Sequence, residues 1–310
     1  MTPGQFLLKF YHTPVGRIRD SLRNGGPWQE RRTEAGRKEM ELAARQLPAL
    51  PPAAGAPIEL HLLTGRRFWY QTAFCLWSLA RASGRPLAPV IYDDGTLTAE
   101  SQAPLIRLFP AARFVMQAET IARLNTHLPA ARFPVLRERW LNYPNIRKLT
   151  DPHAGCSGWK LVLDSDLLFF RRPDFLLNWL DEPDRPLHAV DCETSYGYTR
   201  PLMNSLVGSP VAELVNVGLT GLHGGEIDWE KMEHWCRTLI EREHTSYYLE
   251  QALIAMHVAD RACAIAPAAD YRTLPLPPEA HECNAVMHHY VAYSKRWYFQ
   301  RNWRRVLVSA

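Results

Sequence analysis

Asp164 and Asp166 stand one residue apart in "GWKLVLDSDLLFFRRP" (158–173), with apolar residues on both sides. A strand has a period of two, so both carboxylates are expected on one side and Ser165 on the other. "LVL" before the pair and "LLFF" after it are the near-continuous apolar runs of a strand covered on both faces. Two carboxylates this close push one pKa up, and removing each charge from water is costly. A divalent cation offsets both effects: hard carboxylate oxygens suit Mg²⁺ or Mn²⁺, and the ion can then hold a diphosphate. The competing reading is a strand-end turn in which both aspartates cap backbone amides.

The elements that would carry the pair alternate. "IELHLLTG" (58–65) reads as a strand and "FWYQTAFCLWSLARAS" (68–83) as an apolar helix. "LAPVIYDDG" (87–95) is a second strand. "TAESQAPLIRLF" (98–109) is a helix opened by a Thr cap, and "ARFVMQ" (112–117) is a third strand. Helices over 118–128 and 132–149 lead into the aspartate strand, 160–170. Strands separated by helices of this length argue for a parallel α/β sheet covered on both faces. Ligands bind such sheets beyond the carboxyl ends of the strands, which is where Asp164 and Asp166 fall.

After residue 170 the pattern loosens. A helix is expected at 174–181, a strand at 187–192, a Gly/Pro-rich stretch at 197–210 and a strand at 214–222. Helices follow at 228–242 and 246–260, then short strands at 262–266 and 285–291. Thr64 and Gly65 close the first strand, where backbone groups can approach a base or ribose. Asp93 and Asp94 end the second, beside Gly95; a carboxylate there could accept from a ribose hydroxyl, or form an Asp-Gly turn. Arg147 and Lys148 precede the aspartate strand and could face a diphosphate.

The 310 residues are 46% hydrophobic and 22% charged, which suits a soluble globular protein. The six cysteines form no CxxC pair, so neither a zinc site nor a disulfide framework is expected and a reducing cytoplasm fits. No apolar run reaches the ~18 residues needed to span a bilayer, and the opening residues are too weakly apolar for a secretory signal. The net charge is +4, and residues 1–50 alone supply nine Lys/Arg against five Asp/Glu. "KRWYFQRNWRR" (295–305) adds five positive charges and no acid. "LPALPPAAGAP" (47–57) reads as a Pro/Ala linker, dividing a basic extension, 1–57, from a catalytic domain, 58–310.

"LVLDSDLLFFRRP" resembles the DxD segment of GT-A glycosyltransferases, in which a metal on the aspartates holds the diphosphate of a sugar nucleotide. "HLLTGRRFWYQTAFCLWSLAR" (61–81) is similar to that group's first strand and helix, and "VIYDDG" (90–95) to its second strand. "LNYPNIRKLTD" (141–151) is similar to the helix before the DxD strand, "VNVGLTGL" (215–222) to the NxG strand lining the acceptor side, and "YLEQALIA" (248–255) to the acidic-Gln helix after it. "HYVAYSKRW" (289–297) resembles the HxxGxxKPW motif of the retaining, glycogenin-like family 8 group. There the His is a third metal ligand and the Lys contacts the phosphates. His289 and Lys295 keep that offset, Ala292 stands in place of the Gly and Arg296 in place of the Pro. His288, one residue earlier, would face the opposite side of a strand.

The resemblance spans residues 58–300. It implies a Rossmann-like mixed sheet with helices on both faces and a metal-dependent transfer, with retention, from a nucleotide-diphosphate sugar. A UDP-sugar is the leading donor, and the acceptor is an unspecified glycan, lipid or small molecule. It implies Asp164, Asp166 and His289 as ligands to Mn²⁺ or Mg²⁺, and Lys295, with Lys148, on the phosphates. Asp191, Asn216, Glu250 and Gln251 fall where the group keeps sugar- and acceptor-binding residues, with Gly218 giving close approach. Nucleic acid is not an expected partner. Rival readings are an inactive glycan- or nucleotide-binding module and a nucleotidylyltransferase. The single glycine of "LLTGRRFW" (62–69) counts against the latter, which needs a Gly-rich phosphate loop. Residues 6–23 could dock on an anionic membrane or fold back, burying Phe6, Phe10, Ile18 and Leu22. Pro14 favours packing.

Overall fold

The computed structural model describes residues 25–308 apart from Pro52. Residues 6–23, expected to dock or to fold back through Phe6, Phe10, Ile18 and Leu22, lie outside the described residues.

Among the described residues a seven-stranded sheet runs in the order β3-β2-β1-β4-β7-β6-β8. Its strands are β1 (Ile58–Thr64), β2 (Leu87–Asp93), β3 (Arg113–Val115), β4 (Trp159–Leu163), β6 (Leu187–Val190), β7 (Val215–His223) and β8 (Ala264–Ile265). β1 to β4 are mutually parallel, as expected from the βα alternation. β7 then pairs antiparallel with both β4 and β6, which makes the sheet mixed. A second sheet, β5-β10-β9, comprises β5 (Leu167–Phe169), β9 (Tyr271–Thr273) and β10 (Met287–His289).

Helices cover both faces. On one, the helix Trp69–Ser83 is buried along nearly its whole length, and Gly84 (φ 66) ends it in a left-handed cap. The helix Gly26–Arg45 crosses the C-terminal segment so closely that a Cβ on Gly36 would sit 2.2 Å from the Phe299 carbonyl oxygen. Met40 and Ala44 of that helix are fully buried. The other face is covered by Arg147–His153, Trp229–Glu243 and Leu249–His257.

Several expectations need correction. The strand read over 160–170 is two strands in different sheets, with Asp164–Asp166 as the turn between them. The Asp164 amide donates to Gly218 O (2.8 Å) on one side, and the Tyr290 amide donates to Asp166 O (3.1 Å) on the other. The backbone thus passes from one sheet to the next where the charged pair could not stay inside a strand. The helix read over 132–149 is interrupted: Pro134–Asn142 and Arg147–His153 flank a 3₁₀ turn at Pro144–Ile146. Pro144 drives Tyr143 into extended backbone (φ −139, ψ 89). The 197–210 stretch contains a helix, Arg200–Val207, with proline in its first turn and Gly208 (φ 84) closing it. The Thr98 cap is as expected, accepting from the Ser101 amide at 3.3 Å.

Two buried histidines make stability pH-dependent. His153 is 1% exposed and His257 6%, and neither Nε2 has a hydrogen-bond partner. Burial lowers their pKa values to about 3 and about 4. Folded, both stay neutral; unfolded, each takes up a proton near pH 6.5. Their contribution is therefore complete above that pH and is lost as pH falls towards 4 and 3. Urea unfolding is expected to show a loss of about 2 kcal/mol per histidine between pH 7 and pH 5. His257→Leu should remove one share; an unchanged slope would contradict this.

Candidate active site

The site forms at the carboxyl end of β4, the strand with β1 on one side and β7 on the other. Asp164 and Asp166 leave β4, and His289 arrives at the end of β10. One carboxylate oxygen from each aspartate and a ring nitrogen of His289 lie within 4.8 Å of one another. His289 Nε2 is 3.6 Å from Asp164 Oδ2 and 3.4 Å from Asp166 Oδ1. The other oxygen of each carboxylate meets a lysine: Lys148 Nζ lies 2.8 Å from Asp164 Oδ1, and Lys295 Nζ lies 3.1 Å from Asp166 Oδ2. The two aspartates thus hold a matching arrangement, each with one oxygen on a cation and the other towards His289.

The histidine is fixed from behind. Asn216 Oδ1 accepts from the Gly218 amide (3.0 Å) and from His289 Nδ1 (3.0 Å). With Nδ1 so engaged, Nε2 is the nitrogen presented to the carboxylates. Gly218 is required sterically, because a Cβ there would fall 2.2 Å from His289 Cε1. Ala292, where the resembled motif has glycine, holds φ 45, in the left-handed region. His288 points elsewhere, with Nε2 2.6 Å from Glu279 Oε1 and Nδ1 2.9 Å from the Tyr290 hydroxyl.

Burial would raise the Asp164 and Asp166 pKa values; Lys148, Lys295 and His289 overcome it and hold both carboxyls below the ordinary range. Burial would lower His289, but the same two carboxylates raise it to about 9. Asp166 Oδ1 and His289 Nε2 remain buried with no hydrogen-bond partner, although they face each other. Two carboxylate oxygens and one imidazole nitrogen, two of these three atoms orphaned, suit a divalent cation of the Mn²⁺ or Mg²⁺ type.

These groups line a cavity of about 710 Å³, the size of a small-molecule site. Asp191, Asn216, Gly218, Glu250, Gln251 and Lys148 are also on its wall. Gln251 Nε2 donates to Asp191 Oδ2 (2.7 Å) and to Val215 O (2.9 Å), which joins β6, β7 and the helix Leu249–His257. Glu250 Oε2 lies 3.5 Å from Lys148 Nζ, and burial lifts its pKa to about 7. Tyr247, Tyr248 and Tyr293 rim the opening, 72%, 40% and 37% exposed.

Other candidate residues do not reach this wall. Thr64 is buried and accepts from the Thr72 hydroxyl. A Cβ on Gly65 would overlap the Asp94 carboxylate at 1.9 Å. Asp93 Oδ1 accepts from the Gly95 and Leu97 amides, and Asp94 Oδ1 from the Thr96 amide, so these side chains hold the Asp-Gly turn. Arg147 stacks over Trp140 (4.3 Å) and donates to Asp94 O (2.7 Å), tethering the end of β2 while its neighbour Lys148 tethers Asp164. The rim tyrosines and the Lys148–Glu250 contact had no sequence signal of their own; the link from Asn216 to His289 was foreshadowed only by the NxG pattern.

Mixed sheet, second sheet and DxD turn together define the GT-A fold. The galactosyltransferase LgtC, solved with donor and acceptor sugar analogues, superposes with a TM-score of 0.51 at 14% identity over 80% of this chain and 94% of that one. Xyloside xylosyltransferase 1 from mouse, in its apo form, gives 0.44 at 15% identity over 75% and 98%. The apo glycosyltransferase GlyE of Streptococcus pneumoniae gives 0.46 at 14% identity over 81% and 62%. No protein-family model and no curated protein sequence matches the chain.

Proposed function

We propose that this protein is a nucleotide-sugar glycosyltransferase that moves a sugar, with retention, from a nucleoside-diphosphate donor to a glycan, lipid or small-molecule acceptor. The observation that carries the reading is the convergence of Asp164, Asp166 and His289, with unpartnered ligand atoms, between Lys148 and Lys295 inside a ligand-sized cavity. Glycosyl transfer builds negative charge on the departing diphosphate, and the useful protein contribution is a fixed positive field there. A bound divalent cation, Mn²⁺ in the favoured reading, supplies Lewis-acid stabilisation of that charge. Lys295 and Lys148 add charge-assisted hydrogen bonds from either side. Thr64–Gly65 and Asp93–Asp94 close β1 and β2 outside this cavity, and the nucleoside, with uridine as the first candidate, would extend towards them. Asp191, Gln251 and Asn216 line the sugar and acceptor end, and the rim tyrosines give apolar faces on which a sugar ring can lie.

The deciding experiment is donor hydrolysis over a panel of sugar nucleotides, UDP-sugars first, with Mn²⁺ and with EDTA. Release of free sugar in Mn²⁺ and silence in EDTA is the expected outcome. Binding of no sugar nucleotide by calorimetry would sink the reading, and binding without turnover would favour a non-catalytic module. The close approach of β7 to His289 gives a second prediction. Gly218→Ala must displace the imidazole, and Mn²⁺ affinity should fall about 10- to 100-fold, as for loss of a partner that orients a ligand. Wild-type Mn²⁺ affinity in that variant would show that the ring's position does not matter.

A further inference from the structure

A second polar cavity, of about 380 Å³, lies across the short helix Lys295–Trp297 from the active site and is lined by Gln29, Arg32, His281, Arg296, Trp297, Gln300 and Arg301. Every ionisable group on its wall is basic. Arg32 and Arg301 are exposed, and among the described residues no carboxylate pairs with Arg32, Arg296 or Arg301. Other arginines among the described residues, such as Arg37, Arg85, Arg200 and Arg304, are paired with acids. Three unpaired guanidinium groups around one hollow repel one another unless an anion joins them.

The local backbone explains how they meet. Residues five apart on an ordinary α-helix point about 140° away from each other. Between Arg296 and Arg301 the chain instead takes a π-turn over Tyr298–Asn302, which widens the helix and turns both residues into the same hollow. Arg296 is held flat on Trp297, its guanidinium carbon 4.1 Å from the ring centroid. Arg32 comes from the helix Gly26–Arg45. That wall is stapled to the π-turn by Gln300, whose Nε2 donates to Gln29 Oε1 (3.1 Å) and Thr33 Oγ1 (2.8 Å). The forks are therefore positioned on ordered elements, as bidentate recognition of a phosphate requires.

We infer that this hollow is a binding site for a phosphate group carried on a small organic stem, separate from the diphosphate position at Asp164 and Asp166. Its ligand chemistry is that of a phosphomonoester or phosphodiester, from a lipid headgroup or from a soluble phosphate compound.

Calorimetry with inorganic phosphate in EDTA tests it without engaging the cation site, and sedimentation with phosphatidylglycerol or phosphatidylcholine vesicles separates the sources. Arg296→Gln and Arg301→Gln should each weaken binding at least about tenfold, the loss of one charge-assisted fork. Arg301→Lys should lose less, and Lys295→Met should leave phosphate binding unchanged. Binding of free phosphate alone assigns a soluble ligand; binding of phosphatidylglycerol vesicles, with the same loss in Arg301→Gln, assigns a headgroup. Binding to neither probe, or equal binding by wild type, Arg301→Lys and Arg301→Gln, overturns the site. Because no sugar nucleotide enters the assay, its failure is distinct from failure of the proposed transfer reaction.

Discussion

Asp166→Asn is expected to lower donor turnover by at least about 10³-fold, a loss of about 4 kcal/mol in transition-state stabilisation. The substitution keeps the shape of the side chain and removes its charge. Asp166 Oδ1 is one of the two orphaned atoms, and Oδ2 is the partner of Lys295. The variant therefore loses one ligand and leaves Lys295 without its counter-charge. Folding should survive, because the carboxylate removed is one of two crowded together. Steady-state donor hydrolysis in Mn²⁺, alongside a urea titration, checks both statements. Retention of more than a tenth of wild-type turnover would remove Asp166 from the machinery. Equal loss of turnover and of folding would mean that the residue is structural.

The second large effect falls on stability. Lys148→Met should destabilise the protein by about 3 kcal/mol at neutral pH, because it strips a buried cation from its acids. Lys148 Nζ serves Asp164 at 2.8 Å and Glu250 at 3.5 Å, and Lys148 and Glu250 have side chains only 13% and 4% exposed. The deficit should depend on pH with a definite sign. Burial already holds Glu250 at about 7, and loss of the lysine raises it further. A folded-state carboxyl pKa above the unfolded value means that the folded protein binds more protons between the two. Stability then falls as pH rises through that window. The variant's deficit should thus be larger at pH 8 than at pH 6. Adding Glu250→Gln to Lys148→Met should recover part of it, with a coupling of about 1–3 kcal/mol. Urea unfolding of the four proteins at both pH values completes the cycle. A deficit independent of pH would show that Glu250 does not respond to Lys148.

Much of this arrangement was legible without coordinates. The apolar runs and turn residues marked β1, β2, β4 and the helices Trp69–Ser83, Ala99–Leu108 and Asp174–Asp181, because strand and helix periods are local properties of the chain. The acidic pair was conspicuous because charge within an apolar run demands compensation. The six-residue offset between His289 and Lys295 pointed to the same site through its resemblance to the HxxGxxKPW motif. Side-chain chemistry and local periodicity thus singled out the acidic pair, and the resemblance to the GT-A group singled out the residues expected around it.

What joins those residues is non-local, and no local pattern encodes it. Asn216 meets His289 across 73 residues and Gln251 meets Asp191 across 60. Those contacts exist because β7 lies beside β4, in antiparallel order, so that its Gly218 and Asn216 come under the imidazole. Thr64, Gly65, Asp93 and Asp94 looked equally chemical in the sequence, yet Thr64 is taken up by the Thr72 hydroxyl, both aspartates accept from amides of their own turn, and Gly65 lies against the Asp94 carboxylate. The break of the aspartate strand between two sheets also came from tertiary structure, because a turn there lets both carboxylates reach one histidine. Local chemistry and motif resemblance named the candidate groups; strand order, which depends on how distant apolar faces pack, decided which of them share a cavity.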